Sequence, residues 1–310
     1  MPFKSSEGRN QGKMTKSFDT KYIGGYLLKS ATNSQYFYDT DTETTLIVEP
    51  GIKDIVIMGV APGGNGLPAY NSTSGRKGAG GGAGNITGYS ISATSYYDQT
   101  LYIKVPASPG SPVYVKTGSH SGTSIWEAGH GNPNGTGGVM IVGTGVSGGD
   151  GGPNGAPSGS NGSNKTGAGA GGGGGGNNMF SASSSASGGS GGTTYVPTYA
   201  QPLGPIVGPA GPWSMSGSPG GSGGPEEARA GSPAPGTGGA QGFPAPGYWP
   251  NRNAGSGGGG GGILLTMNGV TKSYGGGAGG GGSSYGYNHQ PPGAAIGGGG
   301  FIIIQLVKHT

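Results

Sequence analysis

Apolar and polar positions alternate in short runs through residues 44–146, and the pattern then almost stops. Leu101-Tyr102-Ile103-Lys104-Val105 and Val113-Tyr114-Val115-Lys116 alternate strictly. That is the period of a strand with one buried face. Further runs rich in Val, Ile, Thr and Tyr lie at 44–48, 52–60, 86–93, 123–126 and 139–142, with Gly, Pro, Asn and Asp between them. Such spacing predicts strands joined by turns, and Glu49-Pro50-Gly51 predicts a tight turn between the first two. Many short strands in a segment of this length predict a small antiparallel β-sandwich.

One more run matters for topology. Phe301-Ile302-Ile303-Ile304-Gln305-Leu306-Val307 is almost wholly apolar and needs a partner. Ile55-Val56-Ile57-Met58 is the natural candidate. If the two pair, 299–307 completes the sandwich of 44–146, and 147–298 becomes a long insertion anchored at both ends on the β-domain. The run is far shorter than the ~20 residues that span a bilayer, and no secretory signal is recognisable at the N-terminus. Membrane insertion is therefore not expected.

Composition changes the picture of the insertion. Glycine supplies 80 of the 310 residues, against about 7% in ordinary proteins. It is massed at 171–176, 257–262, 275–282 and 297–300. Glycine loses the most backbone entropy on folding and has no side chain to bury. Collagen would need glycine at every third position, and these runs break that register. An extended threefold helix of the polyglycine-II type makes no internal hydrogen bonds, so its N–H and C=O groups can bond neighbouring helices. Bare glycine surfaces let those helices approach closely, with weak Cα–H···O contacts worth about 0.5–1 kcal/mol each. The other reading is a flexible linker, but blocks of matched length favour a bundle. Inside the insertion, 263–267 is an apolar patch able to form a strand.

The first 43 residues read as a basic arm. Residues 1–29 hold six basic residues against two acidic ones, which accounts for the whole net charge of +4. Met14, Phe18 and Tyr22 recur at four-residue spacing, which predicts one short helix ended by Gly24-Gly25. An arm so poor in apolar surface docks on a partner or on copies of itself. A solvated, frayed terminus is the alternative.

Chemistry-bearing patterns are sparse. There are no cysteines, so disulfides and thiolate metal sites are out. His120, His130, His289 and His309 lack metal-ligand spacing. Asp150, in Gly148-Gly149-Asp150-Gly151-Gly152, resembles one unit of a calcium-binding nonapeptide, but the motif does not recur. No phosphate loop or paired carboxylates stand out, so no catalytic, cofactor-binding or metal residues are assigned and an enzyme is not expected. The sequence pI is about 9.1, yet the excess charge is confined to the arm, which argues against nucleic-acid binding.

Several features together resemble the glycine-rich domain of bacteriophage tail-fibre and virion-surface proteins. They are the strand Thr45-Leu46-Ile47-Val48, the Glu49-Pro50-Gly51 turn, the strand Asp54-Ile55-Val56-Ile57-Met58-Gly59-Val60 and the block Gly63-Gly64-Asn65-Gly66. The later block Gly78-Ala79-Gly80-Gly81-Gly82-Ala83-Gly84 and the closing glycines 297–300 before the last strand complete the resemblance. In design the chain is similar to the glycine-helix adhesins at the tips of T-even-like phage long tail fibres. It departs from them in a short opening glycine block and a long Pro-rich stretch at 195–253.

The resemblance implies an all-β fold: a small antiparallel β-sandwich with a long glycine-rich insertion packed as polyglycine-II-like helices. It implies a virion-surface location, a homotrimer, attachment to other virion proteins through the arm, and recognition of a host surface glycan or outer-membrane protein. A head fibre or capsid decoration protein is the alternative within phages, and an ice- or matrix-binding glycine-helix protein is the cellular one. Aromatic residues in loops held on a rigid scaffold suit recognition, which nominates Tyr195, Tyr199, Trp213, Phe243, Tyr248, Trp249, Tyr285 and Tyr287. Each could equally fill gaps between glycine helices. Lys4, Arg9, Lys13, Met14, Lys16, Phe18, Lys21 and Tyr22 are the attachment candidates.

Overall fold

Strands form where the strand-like runs lie, and in seven further places. The computed structural model describes residues 22–23, 26–27, 33–66, 86–107, 109–132, 136–143, 148–150, 165–166, 190, 193–195, 213–217, 262–267, 269–276 and 296–308. In chain order the strands are β1 (Tyr22–Ile23), β2 (Tyr26–Leu27), β3 (Asn33–Tyr38), β4 (Thr42–Ile47), β5 (Ile52–Val60), β6 (Ile86–Ser92), β7 (Thr100–Val105) and β8 (Val113–Thr117). They continue as β9 (Thr123–Ala128), β10 (Met140–Val142), β11 (Lys165–Thr166), β12 (Thr194–Tyr195), β13 (Trp213–Gly217), β14 (Ile263–Met267), β15 (Val270–Tyr274) and β16 (Phe301–Lys308). Among the described residues the one helical element is a 3-10 turn at Thr94–Tyr96. The fold is all-β and its principal sheets are antiparallel.

Three of those sheets stack. One has the order β10-β9-β8-β7-β4, the second β3-β16-β5-β6, and the third β13-β14-β15. The last strand pairs with the early apolar strand as its sequence predicts, in the register Ile303↔Met58 and Ile304↔Ile57. Its other edge pairs with β3, with Ile304 opposite Tyr36. Between the first and second sheets lie Leu101, Ile103, Val113, Val115 and Trp126 on one side and Ile55, Ile57, Ile302, Ile304 and Leu306 on the other. Each such side chain contributes about 1.5–3 kcal/mol on full burial. Gly51, with φ 99°, supplies the left-handed residue that a Pro-Gly turn needs, and Ile52 N–H donates to Glu49 C=O at 3.4 Å.

The nearly continuous apolar character of β16 has a direct cause: both of its faces are covered. Ile302, Ile304 and Leu306 enter the core against the first sheet. Phe301 and Ile303 point the other way, with Met58 and Val60, onto Met215, Ile263, Leu265 and Tyr274 of the third sheet. Tyr274 meets Phe301 edge-on with ring centroids 4.9 Å apart. A strand buried on both faces reads as a continuous hydrophobic run. Gln305 interrupts it. It lies opposite Gln35 of β3, both are buried, and Gln305 Oε1 and both amide atoms of Gln35 lack a hydrogen-bond partner among the described residues.

Three expectations change. Residues 33–38, read as part of the basic arm, form an inner-sheet strand whose Tyr36 is buried in the core. Tyr22, expected on a short helix, lies in β1 and pairs with Leu27; the rest of that helix falls outside the described residues. The segment 147–298, expected to be glycine helices with one strand, also carries β11, β12, β13 and β15. Of these, β13 and β15 flank β14 because its inward residues Ile263 and Leu265 need a sheet to deliver them onto Phe301 and Ile303.

Two substitutions test this packing. A Cβ on Gly59 would lie 2.7 Å from the Trp126 ring and 2.8 Å from the Phe301 carbonyl oxygen. Gly59→Ala is expected to destabilise the protein by about 1–3 kcal/mol in urea unfolding. The double change Gln35→Met, Gln305→Met removes buried polar atoms that cost about 1–3 kcal/mol when unpaired. It is expected to raise the unfolding midpoint.

Candidate functional site

Beyond the ends of β5 and β16 the chain turns to glycine, and the two segments stay side by side. Gly63 N–H donates to Gly298 C=O at 2.9 Å, and Gly298 N–H donates to Gly276 C=O at 2.8 Å. Gly298 therefore bonds a different neighbour with each of its backbone groups. Gly275 N–H donates to Gly299 C=O at 2.8 Å, and Gly131 N–H to Pro62 C=O at 2.9 Å. Farther along, Gly129 N–H reaches Val139 C=O at 2.8 Å and Gly148 N–H reaches Gly138 C=O at 2.7 Å. Segments remote in sequence thus form one lateral array, which satisfies backbone polar groups without side chains.

Glycine is required there for closeness. A Cβ on Gly297 would sit 2.2 Å from the Gly63 carbonyl oxygen, on Gly138 2.1 Å from that of Gly129, and on Gly137 2.2 Å from that of Gly148. Side chains finish the edges. Asn65 Oδ1 accepts from Gly297 N–H at 3.1 Å, and Thr40 Oγ1 donates to Gly300 C=O at 3.0 Å. Asp150, noted for its glycine surroundings, accepts from Gly137 N–H at 2.9 Å.

A polar cleft of about 400 Å³ opens beside this array, lined by Asp39, Thr40, Gly299, Thr271, Lys272, Ser273 and Tyr274. Lys272 Nζ donates to Asp39 Oδ2 at 2.6 Å, and Thr40 N–H donates to Asp39 Oδ1 at 2.7 Å. Burial first, and the Asp39 charge second, push the pKa of the Tyr274 hydroxyl above the ordinary 10.0.

The outer face of the first sheet carries a second polar group. Glu43 pairs with Lys104 at 2.8 Å and lies 3.5 Å from His120 Nε2. Its hydrogen bond to Lys104 lowers the Glu43 pKa and raises that of Lys104. His120 Nδ1 lies 3.1 Å from the Tyr114 hydroxyl, and its ring meets Tyr102 edge-on at 5.2 Å. Lys116 sits over the Tyr114 ring at 4.3 Å. These cross-strand pairs satisfy one another, as on an ordinary solvated sheet face. His130 Nδ1 contacts Gly131 C=O at 2.8 Å. Among the described residues no group of three or more His, Asp or Glu could hold a metal ion, and no helix is long and apolar enough to cross a membrane.

Of the receptor candidates, Tyr195 lies in β12, opposite Thr166, and Trp213 lies in β13, opposite Met267. Both are in strands, not in the loops expected of them, because each backbone has a neighbouring segment to pair with. Tyr199, Phe243, Tyr248, Trp249, Tyr285 and Tyr287 lie outside the described residues, as do Lys4, Arg9, Lys13, Met14, Lys16, Phe18 and Lys21. The cleft residues escaped the sequence reading: Asp39 and Lys272 are 233 positions apart, and no local motif links them. No protein-family model matches the chain, and no curated protein matches it.

Two measurements probe these contacts. Gly297→Ala sets a Cβ against backbone, which has no flexible side chain to yield. Urea unfolding is expected to show a loss of about 1–3 kcal/mol. Tyr274 keeps its proton more firmly folded than unfolded, so its contribution is present below pH 10.0 and lost as pH rises beyond it. Stability is expected to fall in that alkaline range, and Tyr274→Phe to make the fall shallower.

Proposed function

We propose that this chain is a non-enzymatic surface protein of a bacteriophage virion, a tail-fibre adhesin that attaches the particle to its host. The observation that carries the reading is the glycine array. Its segments bond sideways through their backbones and sit too close for any Cβ. A lateral array of this kind can grow by adding glycine segments without needing an apolar core.

In this reading the glycine blocks at 171–176 and 257–262 extend the array as polyglycine-II-like helices, and the three stacked sheets are its base. The basic arm docks on other virion proteins, three copies assemble, and aromatic residues of the Pro/Gly-rich region contact a host glycan or outer-membrane protein. A rigid body suits this role because it holds recognition loops at fixed positions and reduces the ordering cost of binding.

Immunogold labelling of the particles that carry the protein, with antibody to residues 44–310, tests the location. Label at the tail-fibre ends is expected. Label over the head would make it a head fibre or decoration protein, and label on no particle would point to the cellular glycine-helix alternative. Alanine at Tyr248 and Trp249 is expected to weaken cell binding about 30-fold or more, the size of an aromatic hot spot. Unchanged binding would assign those side chains to packing.

A further inference from the structure

We infer that the cleft between Asp39 and β15 is a binding site for a neutral saccharide unit, separate from the aromatic loops. The inference does not rest on the virion reading. It rests on what the cleft offers and what it excludes.

Among the described residues the lining is mostly polar, and its one aromatic ring, Tyr274, is buried against Phe301, so an aliphatic or aromatic ligand would find little to bury against. The site holds one carboxylate and one ammonium, 2.6 Å apart. Their charges cancel, which removes the pull on a free anion or cation. A divalent cation would also want several carboxylate or carbonyl oxygens, and one acid is present among the described residues of the lining. What remains is a ligand that both donates and accepts hydrogen bonds at neighbouring atoms, and vicinal hydroxyls do so.

The capacity for those bonds is there. A lysine ammonium has three donors, and Asp39 is the partner recorded for Lys272. A carboxylate has about four acceptor positions. Two are engaged, by Thr40 N–H and by Lys272. Among the described residues a free donor and a free acceptor therefore lie side by side, and one hydroxyl can bridge them while the next meets the remaining ammonium protons.

The geometry is also set in advance. Thr40 N–H fixes one carboxylate oxygen, and Tyr274 is buried against Phe301. Gly299 forms part of the wall, where a Cβ would lie 2.3 Å from Thr40 Oγ1. Access remains open, because the Lys272 side chain is 60% exposed and that of Asp39 28%. The volume, about 400 Å³, falls within the range of small-ligand clefts.

The test is a saturation-transfer NMR titration of the full chain. The probes are the methyl α-glycosides of glucose, galactose and mannose, and N-acetylglucosamine. At least one is expected to bind with a Kd near 1 mM, corresponding to about −4 kcal/mol. Lys272→Met and Asp39→Asn are each expected to weaken it about tenfold or more with the thermal transition retained. Lys53→Met, at another exposed lysine, should change nothing, and sodium phosphate should not compete. Binding of none of the four, binding unaltered in the Lys272 variant, or displacement by phosphate would each overturn the inference. Should Asp39→Asn fail to fold, Lys272→Met decides alone, since that side chain is mostly in solvent.

Discussion

Everything in this fold depends on the pairing of β16 with β5. It brings the two ends of the glycine-rich stretch to adjacent positions, fills the middle of the inner sheet, and offers a face to each flanking sheet. Few strands in small domains are covered on both faces and paired on both edges. Here the arrangement follows from composition. A chain with so much glycine has few large side chains, and concentrating them on one strand lets each face of that strand serve a separate core. Sheet-on-sheet packing then supplies the stability that the glycine segments cannot supply for themselves.

Those segments solve a different problem. A glycine chain offers backbone donors and acceptors and nothing else, and ordering it costs more entropy per residue than ordering any other chain. The array offsets that cost by using both backbone groups of a residue on two neighbours, as Gly298 does. Close approach is the condition, and carbonyl oxygens close to where a Cβ would stand enforce it. Starting the array from β5 and β16 sets the first separation, because the strands have already aligned the two backbones.

Much of this was legible in the sequence. The strict alternation of Leu101–Val105 and the Pro-Gly turn before Ile52 each specify a local structure, and the continuous apolar run of β16 specifies a buried strand wherever it pairs. Of the strands longer than two residues, three were missed for physical reasons. β3 shares its segment with a polar arm, and its aromatic residues Tyr36, Phe37 and Tyr38 do not announce which face they bury. β13 alternates serine with larger residues, a weak signal in a serine-rich region. β15 did have a signal: Asn268-Gly269 stands between two strand-like runs, the strongest short hairpin sign, with Gly269 at φ 79°. The polar cleft was invisible because its residues come together only after three sheets have stacked.

The position of β16 also has a temporal meaning. Thr40 and Gly300 touch, although 260 positions separate them. During synthesis β3 and β5 emerge long before the strand that belongs between them, so the inner sheet must wait with a gap at its centre. Contacts so distant in sequence make folding slow, and unpaired strand edges are open to wrong partners meanwhile. A nascent chain of this design is therefore most vulnerable in the interval before β16 emerges, while its central ladder is still missing. Its yield in any expression system should then depend on temperature and chaperone supply more than its final stability would indicate.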